Sequence, residues 1–243
     1  ALIKAFSLSN AITSTYILDK NYSHDFNAHS RAWFLGNSLQ ELGNNWKKIG
    51  SRLVIEEGDP VLIIPKLAKL IDAKFVFWNK SIEPYEINRD LLIKKNLKEK
   101  NIKFVESWDH LLVEPLKIFS GNNKPYSVYG PFYKNLKSKM NLLGSYDQNK
   151  VVFQFKDIDN KLKENKTINS SDSVLEKFIK NIKFPGSNIC PCIPGEKAAE
   201  TLLENFINEK KIYSYDSARD FPSQNGTSFL SASLRFGTIS IRK

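Results

Sequence analysis

The chain has 243 residues, with 36 Lys+Arg against 26 Asp+Glu and a formal net charge of +10. Its composition excludes collagen, a disulfide scaffold and wholesale disorder, and no apolar run nears the roughly 20 residues that cross a bilayer. The only cysteines, Cys190 and Cys192, stand one residue apart, which disfavours a mutual bridge and suits a reducing, cytoplasmic setting.

The chain opens on ALIKAF, which reads as the tail of a helix. Residues 12–19, ITSTYILD, read as a buried strand. Over 31–50, Trp33, Phe34, Leu35, Leu39, Leu42 and Trp46 recur at one-face helical spacing, and Gly50 follows as a stop. RLVIEEGDP (52–60) predicts a short strand, then a helix over 60–71 capped by Asp59 with Pro60 at its first position. Pro65 is discordant inside that helix. Further strands are expected at 74–79 and 101–107, with an exposed basic helix over 86–100 between them. Strands that alternate with helices at short spacing predict a parallel α/β sheet of four strands. In such a fold a strand should precede ALIKAF. Its place would be central, between the second and third strands counted here, so a gap in mid-sheet is expected.

After Trp108 the pattern changes. Residues 120–133 are turn-rich and aromatic. Residues 134–183 carry 11 Lys against 6 Asp+Glu, half of the total charge excess. Apart from VVFQF (151–155) and a helix at 172–182, this stretch reads as a polar surface linker. Helical periodicity returns at Pro194, and a last helix is expected to start near Ser228.

The chemistry-bearing residues fall in two places. Asn225-Gly226-Thr227-Ser228 with Leu230-Ser231 is a hydroxyl-rich turn running into a helix, a setting that suits phosphate but equally an ordinary helix cap. Tyr213, Tyr215 and Arg219 lie close by, and Arg219, Arg235 and Arg242 are half of all arginines. Trp78-Asn79 and Glu83-Pro84-Tyr85-Glu86 follow a strand's C-terminal end, where open α/β sheets bind ligands, or where carboxylates cap helices. His24, His29 and His110 are too scattered for a metal site. No Gly-x-Gly-x-x-Gly, P-loop or Gly-x-Ser-x-Gly is present, which excludes the usual nucleotide kinases, dehydrogenases and hydrolases.

Several of these stretches, in this order, resemble the DNA photolyase and cryptochrome family. They are RAWFLGNSLQELGNNWKKIGSRLVIEEGDP (31–60), FWNKSIEPYEINRD (77–90), VESWDHLLVEPLKI (105–118) and SGNNKPYSVYGPFYKN (120–135). PGEKAAETLLENFI (194–207) and YDSARDFPSQNGTSFLSASLRFGTISIR (215–242) close the set, and the last is highly specific. The nearest likeness is to microbial cyclobutane pyrimidine dimer photolyases.

The resemblance implies a Rossmann-like, doubly wound antenna domain at 1–118 that lacks its first strand. An interdomain linker at 119–190 and the first helices of an all-α FAD-binding domain at 191–243 complete it. It implies light-driven, FAD-dependent repair of pyrimidine dimers in damaged DNA by a monomer. The alternatives are a cryptochrome-type photoreceptor without repair and a plain flavoprotein-like α/β module. By motif position, Tyr215, Thr227, Ser228, Leu230 and Ser231 match FAD contacts, and Arg219 matches a DNA phosphate contact. Asn79, Ser81, Glu83 and Glu86 match the antenna loop. Ser81 stands where relatives often have an acidic residue, and Tyr85-Glu86 where folate-binding relatives have Asn-Glu. A folate (methenyltetrahydrofolate) and an 8-hydroxy-deazaflavin both stay open. Relatives continue for about as many residues again, so the chain is expected to be a part that holds no catalytic residue and is inactive alone.

Overall fold

A computed structural model describes residues 1–9, 11–19, 28–115, 117–139, 171–182 and 192–243. VVFQF (151–155) and Cys190 lie outside the described residues.

The elements follow the hydrophobic periodicity. Helix α1 is Leu2–Leu8, β1 Ser14–Leu18, α2 His29–Lys48 and β2 Leu53–Glu57. Then come α3 Pro60–Leu70, β3 Phe75–Asn79, α4 Pro84–Glu99 and β4 Lys103–Ser107. Gly50 follows α2 with φ +77, the left-handed turn that glycine adopts at least cost. Asp59 caps α3 as its sequence predicts: its carboxylate accepts from the Val61 amide at 2.8 Å, and Pro60 opens the helix.

Pro65 sits inside α3 and is fully buried. Having no N–H, it leaves the Val61 carbonyl without its usual helical donor. Asn96 on α4 supplies one from its side-chain amide at 3.1 Å. The discordant proline thus becomes part of the α3–α4 joint, beside Leu97, Ile93 and Ala68.

The sheet is where the expected gap is found. β1 pairs with β2 in parallel, Ser14 opposite Leu53 through Leu18 opposite Glu57. β3 pairs with β4 in parallel, Phe75 opposite Lys103 through Asn79 opposite Ser107. Among the described residues no ladder joins the two pairs. Each pair has its own core. Leu18, Leu53 and Ile55 pack with Leu35, Leu39 and Trp46 of α2. Val76, Trp78 and Phe104 pack on α3 and α4. Four successive residues of β2, Leu53 to Glu56, are buried, as in a strand covered on both faces.

The second cover of β2 is unexpected. Helix α6, Ser171–Lys180, lies in the stretch read as linker, and the periodicity marks it as a helix. Yet its Leu175 is buried in the β1–β2 core. Gly36 of α2 lets it in: a Cβ there would stand 2.9 Å from Ile179 and 3.4 Å from Phe178. By packing, α6 belongs to the α/β unit. Helix α5, Tyr129–Lys139, lies across the turn-rich stretch 120–133 and the start of the expected linker, and it contains Gly130-Pro131. Those residues occupy its first turn, where a missing N–H costs nothing.

The C-terminal segment holds α7, Glu196–Asn208, a 3₁₀ turn at Lys211–Tyr213, α8, Tyr215–Ala218, and α9, Ser231–Phe236. Ala199, Leu230 and Ile239 form its small core. Phe236 reaches the α/β unit, its ring 5.1 Å from that of Phe34.

Among the described residues a hydrogen bond spans the gap between the strand pairs. Tyr85, in the first turn of α4, donates its hydroxyl to Asp19, just past β1, at 2.7 Å. Asp19 is 5% exposed. The Tyr85 hydroxyl is pushed up to about 12, first by burial, then by its bond to and the charge of Asp19.

Two outcomes follow for stability. Asn96→Ala is expected to cost about 1 kcal/mol in urea unfolding, and clearly less in a Pro65→Ala background, where a restored amide serves the same carbonyl. For Tyr85 the folded value lies above the unfolded one of about 10, so the bond is intact below that pH and fades as pH climbs towards about 12. Tyr85→Phe is expected to lower stability by about 1 kcal/mol near neutrality, and the gap from wild type should narrow between about pH 10 and 12.

Candidate functional site

The first cluster lies at the C-terminal ends of the strands. Asn79 ends β3; its side chain donates to Asp109 at 3.3 Å and accepts from the Ala1 amino group at 3.0 Å. Ser81 turns back and accepts from the Glu83 amide at 3.1 Å, which shapes the loop before α4. Glu83 occupies the N-cap position of α4 but does not cap it with its side chain. Instead its carboxylate faces Arg235 of α9 at 3.9 Å. Glu86 faces Arg89 at 3.8 Å.

Arg89 is turned mainly to Asp90, with contacts of 2.8 and 3.0 Å. The other Asp90 oxygen accepts from the Trp78 indole at 3.1 Å. Burial raises the Asp90 carboxyl above its ordinary value, and Arg89 and the indole pull it partly back. This group anchors Trp78 against α4 rather than facing the crevice.

The strand-end carboxylates are Asp19, Glu83, Glu86 and Asp109, and each has a partner: Tyr85, Arg235, Arg89 and Arg242 in turn. They offer acceptors to a ligand that presents N–H or O–H donors. The sequence reading singled out Asn79, Ser81, Glu83 and Glu86 and missed Asp19 and Asp109. Asp19 follows β1 directly and Asp109 stands two residues past β4, and that position was the available signal.

The second cluster lies on the C-terminal helices. The Tyr215 ring meets Phe206 of α7 edge-on, with centroids 6.1 Å apart. The Arg219 guanidinium lies 5.8 Å over the same ring, and its side chain stays 54% exposed. Asp220 is its nearest ionic partner at 3.7 Å. The turn is brought to Tyr215 by Gly226: a Cβ there would meet the Ala218 backbone at 3.0 and 3.1 Å, so only glycine lets the two strips touch.

The expected start of the last helix needs correction. α9 begins at Ser231, not near Ser228, because Phe229 takes a left-handed φ of +55 between them. Thr227 and Ser228 therefore precede the helix, and only Ser231 stands in its first turn. No side chain of the segment caps that turn. Leu230 is buried against Ala199 and Ile239, so its side chain is core; it offers the surface only backbone.

The arginines separate. Arg242 donates to the Leu111 carbonyl at 2.8 Å and meets Asp109 at 3.3 Å, and Arg235 meets Glu83. Both tie the C-terminal segment to the α/β unit. Among the described residues, Arg219 alone of the three stacks on an aromatic ring, that of Tyr215. Among the described residues no His/Cys/Asp/Glu group could hold a metal ion, and no helix is long and apolar enough to cross a membrane.

Comparison with known proteins places the chain in a family. A deoxyribodipyrimidine photo-lyase of Synechococcus is 37% identical over 218 residues, 89% of this chain and 43% of that protein. Cryptochrome-2 of Gallus gallus is 27% identical over 252 residues, spanning this whole chain and 42% of its own length. The crystal structure of a bacterial class III photolyase from Agrobacterium tumefaciens superposes with a TM-score of 0.69 at 26% identity, covering 99% of this chain and 48% of that one. The chain thus spans under half the length of these relatives. A family model described as DNA photolyase matches residues 1–152. With well over half of its residues inside that match, the chain belongs to the DNA photolyase family.

Proposed function

We propose that this chain is the antenna and first flavin-contacting part of a deoxyribodipyrimidine photo-lyase, which repairs cyclobutane pyrimidine dimers in DNA as a monomer. The observation that carries this reading is the 37% identity to the Synechococcus photo-lyase across 89% of the chain. The division follows the cores: an α/β antenna unit at 1–118 joined by α6, a linker within 119–190, and a helical flavin unit from 191. The whole repair reaction is assigned to a protein that carries this chain together with the remaining length of the relatives.

The turn fits the phosphates of FAD. Thr227, Ser228 and Ser231 bring hydroxyls, and the uncapped start of α9 brings free amides. Leu230 contributes backbone, and its buried side chain holds the turn in place. Tyr215 closes the edge of the site against Phe206. When bound, FAD supplies light absorption and the electron that opens the dimer. Arg219, exposed over Tyr215, holds a DNA phosphate by charge-assisted hydrogen bonds.

The acceptor-lined crevice at Asn79, Ser81, Glu83 and Glu86 fits an antenna heterocycle with N–H donors, either the folate or the deazaflavin. The residues hold and orient that group. The similarity to cryptochromes over the whole chain supports a second reading, a blue-light photoreceptor without repair.

A repair assay under blue light, on the longest natural protein that contains this chain, decides between them: loss of dimers on illumination is expected, and none with FAD bound favours the photoreceptor. In the same protein Arg219→Ala is expected to weaken DNA binding about tenfold and lower its salt slope by about one, with FAD content unchanged. Unchanged DNA affinity would remove Arg219 from the interface. The chain by itself is expected to purify with flavin well below one equivalent, because Tyr215, Thr227, Ser228 and Ser231 all stay partly open to solvent.

A further inference from the structure

Helix α7 starts with amides that have no partner within the helix. Its N-cap residue is Gly195, which has no side chain to offer. The cap comes from far away in sequence. Glu41 on α2 accepts from the Glu196 amide at 2.9 Å and from the Lys197 amide at 3.1 Å, both through one carboxylate oxygen. A carboxylate there satisfies two free donors and meets the positive end of the helix dipole. Asn45, one turn further along α2, donates to the Glu196 side chain at 3.2 Å.

Gly195 makes this approach possible. Its φ is +101, and a Cβ would stand 2.6 Å from the Glu41 carboxyl carbon and overlap an oxygen. Glycine is needed twice, for the backbone angle and for the space.

The cap has consequences because of what α7 carries. Ala199, in its first turns, is fully buried against Leu230 and Ile239. Phe206, in its last turn, meets Tyr215. The start of the helix is held by α2, and its length supports the turn and the Tyr215 ring. We propose that Glu41 is a positioning residue that registers α7, and through it the Tyr215 and Leu230–Ser231 surface, against the α/β unit. That this surface holds flavin rests on the function proposed above; the cap itself does not.

Hydrogen–deuterium exchange of the chain tests it without any flavin. Glu41→Ala is expected to speed exchange of the amides of residues 196–199 about tenfold, while β2 amides keep their wild-type rates. Glu41→Gln, which keeps an acceptor, should restore most of the protection. Glu41→Met, of similar length but with no acceptor, should not. Gly195→Ala should also expose these amides, and by less when combined with Glu41→Ala, because the overlap is then gone. Wild-type rates in the Ala and Met variants would overturn the proposal. So would equal protection by Met and Gln, or a rise that spreads to β2. A failed repair assay would leave these outcomes untouched, and a lost cap would leave the repair reading standing.

Discussion

The whole arrangement turns on one constraint: among the described residues the two parallel strand pairs share no ladder. A continuous sheet aligns its helices through backbone hydrogen bonds, which are many and cooperative. Here side chains do that work. Tyr85 joins α4 to the end of β1 through a buried carboxylate. Arg242 and Arg235 join the C-terminal segment to loops after β4 and β3. Glu41 joins α7 to α2. Each rests on one side chain, and a hydrogen bond of this kind is worth about 1 to 3 kcal/mol at most, an ionic contact left open to water less. Orientation between the parts therefore depends on a few named residues rather than on the sheet.

These ties converge on the strand ends. Asp19, Asp109 and Glu83 each serve a structural partner there. The carboxylates that hold the parts together are the same ones that offer acceptors at the strand ends. A ligand with N–H donors would meet groups already fixed in place, which lowers the cost of ordering them.

Much of this was legible in the sequence, and the failures are instructive. Strands and the main helices followed from periodicity within a residue or two, because each has one face that must be buried. The Asp59-Pro60 start and the Gly50 stop were readable because capping is local chemistry. Helix α5 was missed because Gly-Pro reads as a breaker without knowledge of where the helix begins. The docking of α6 was missed because the recess that admits it, Gly36, lies 135 residues or more from its partners. In the site, Tyr215 and Arg219 were found as motif residues, but their stacking was not. Asp19 was missed because a strand-end carboxylate gains meaning only once Tyr85 stands opposite it.

Arg235 and Arg242 show how charge counting misleads. Three arginines near one another in sequence invite a single role with an anionic partner. In space Arg242 is held by a carboxylate and a carbonyl of the same chain, and a guanidinium so engaged has little left for a phosphate. Arg235 and Arg219 both stay open to solvent with a carboxylate nearby, Glu83 at 3.9 Å and Asp220 at 3.7 Å. What separates Arg219 is the Tyr215 ring beneath it, which orients the guanidinium without itself neutralising it. The residue proposed for DNA is thus marked by the ring it stacks on, a distinction that neither net charge nor arginine count contains.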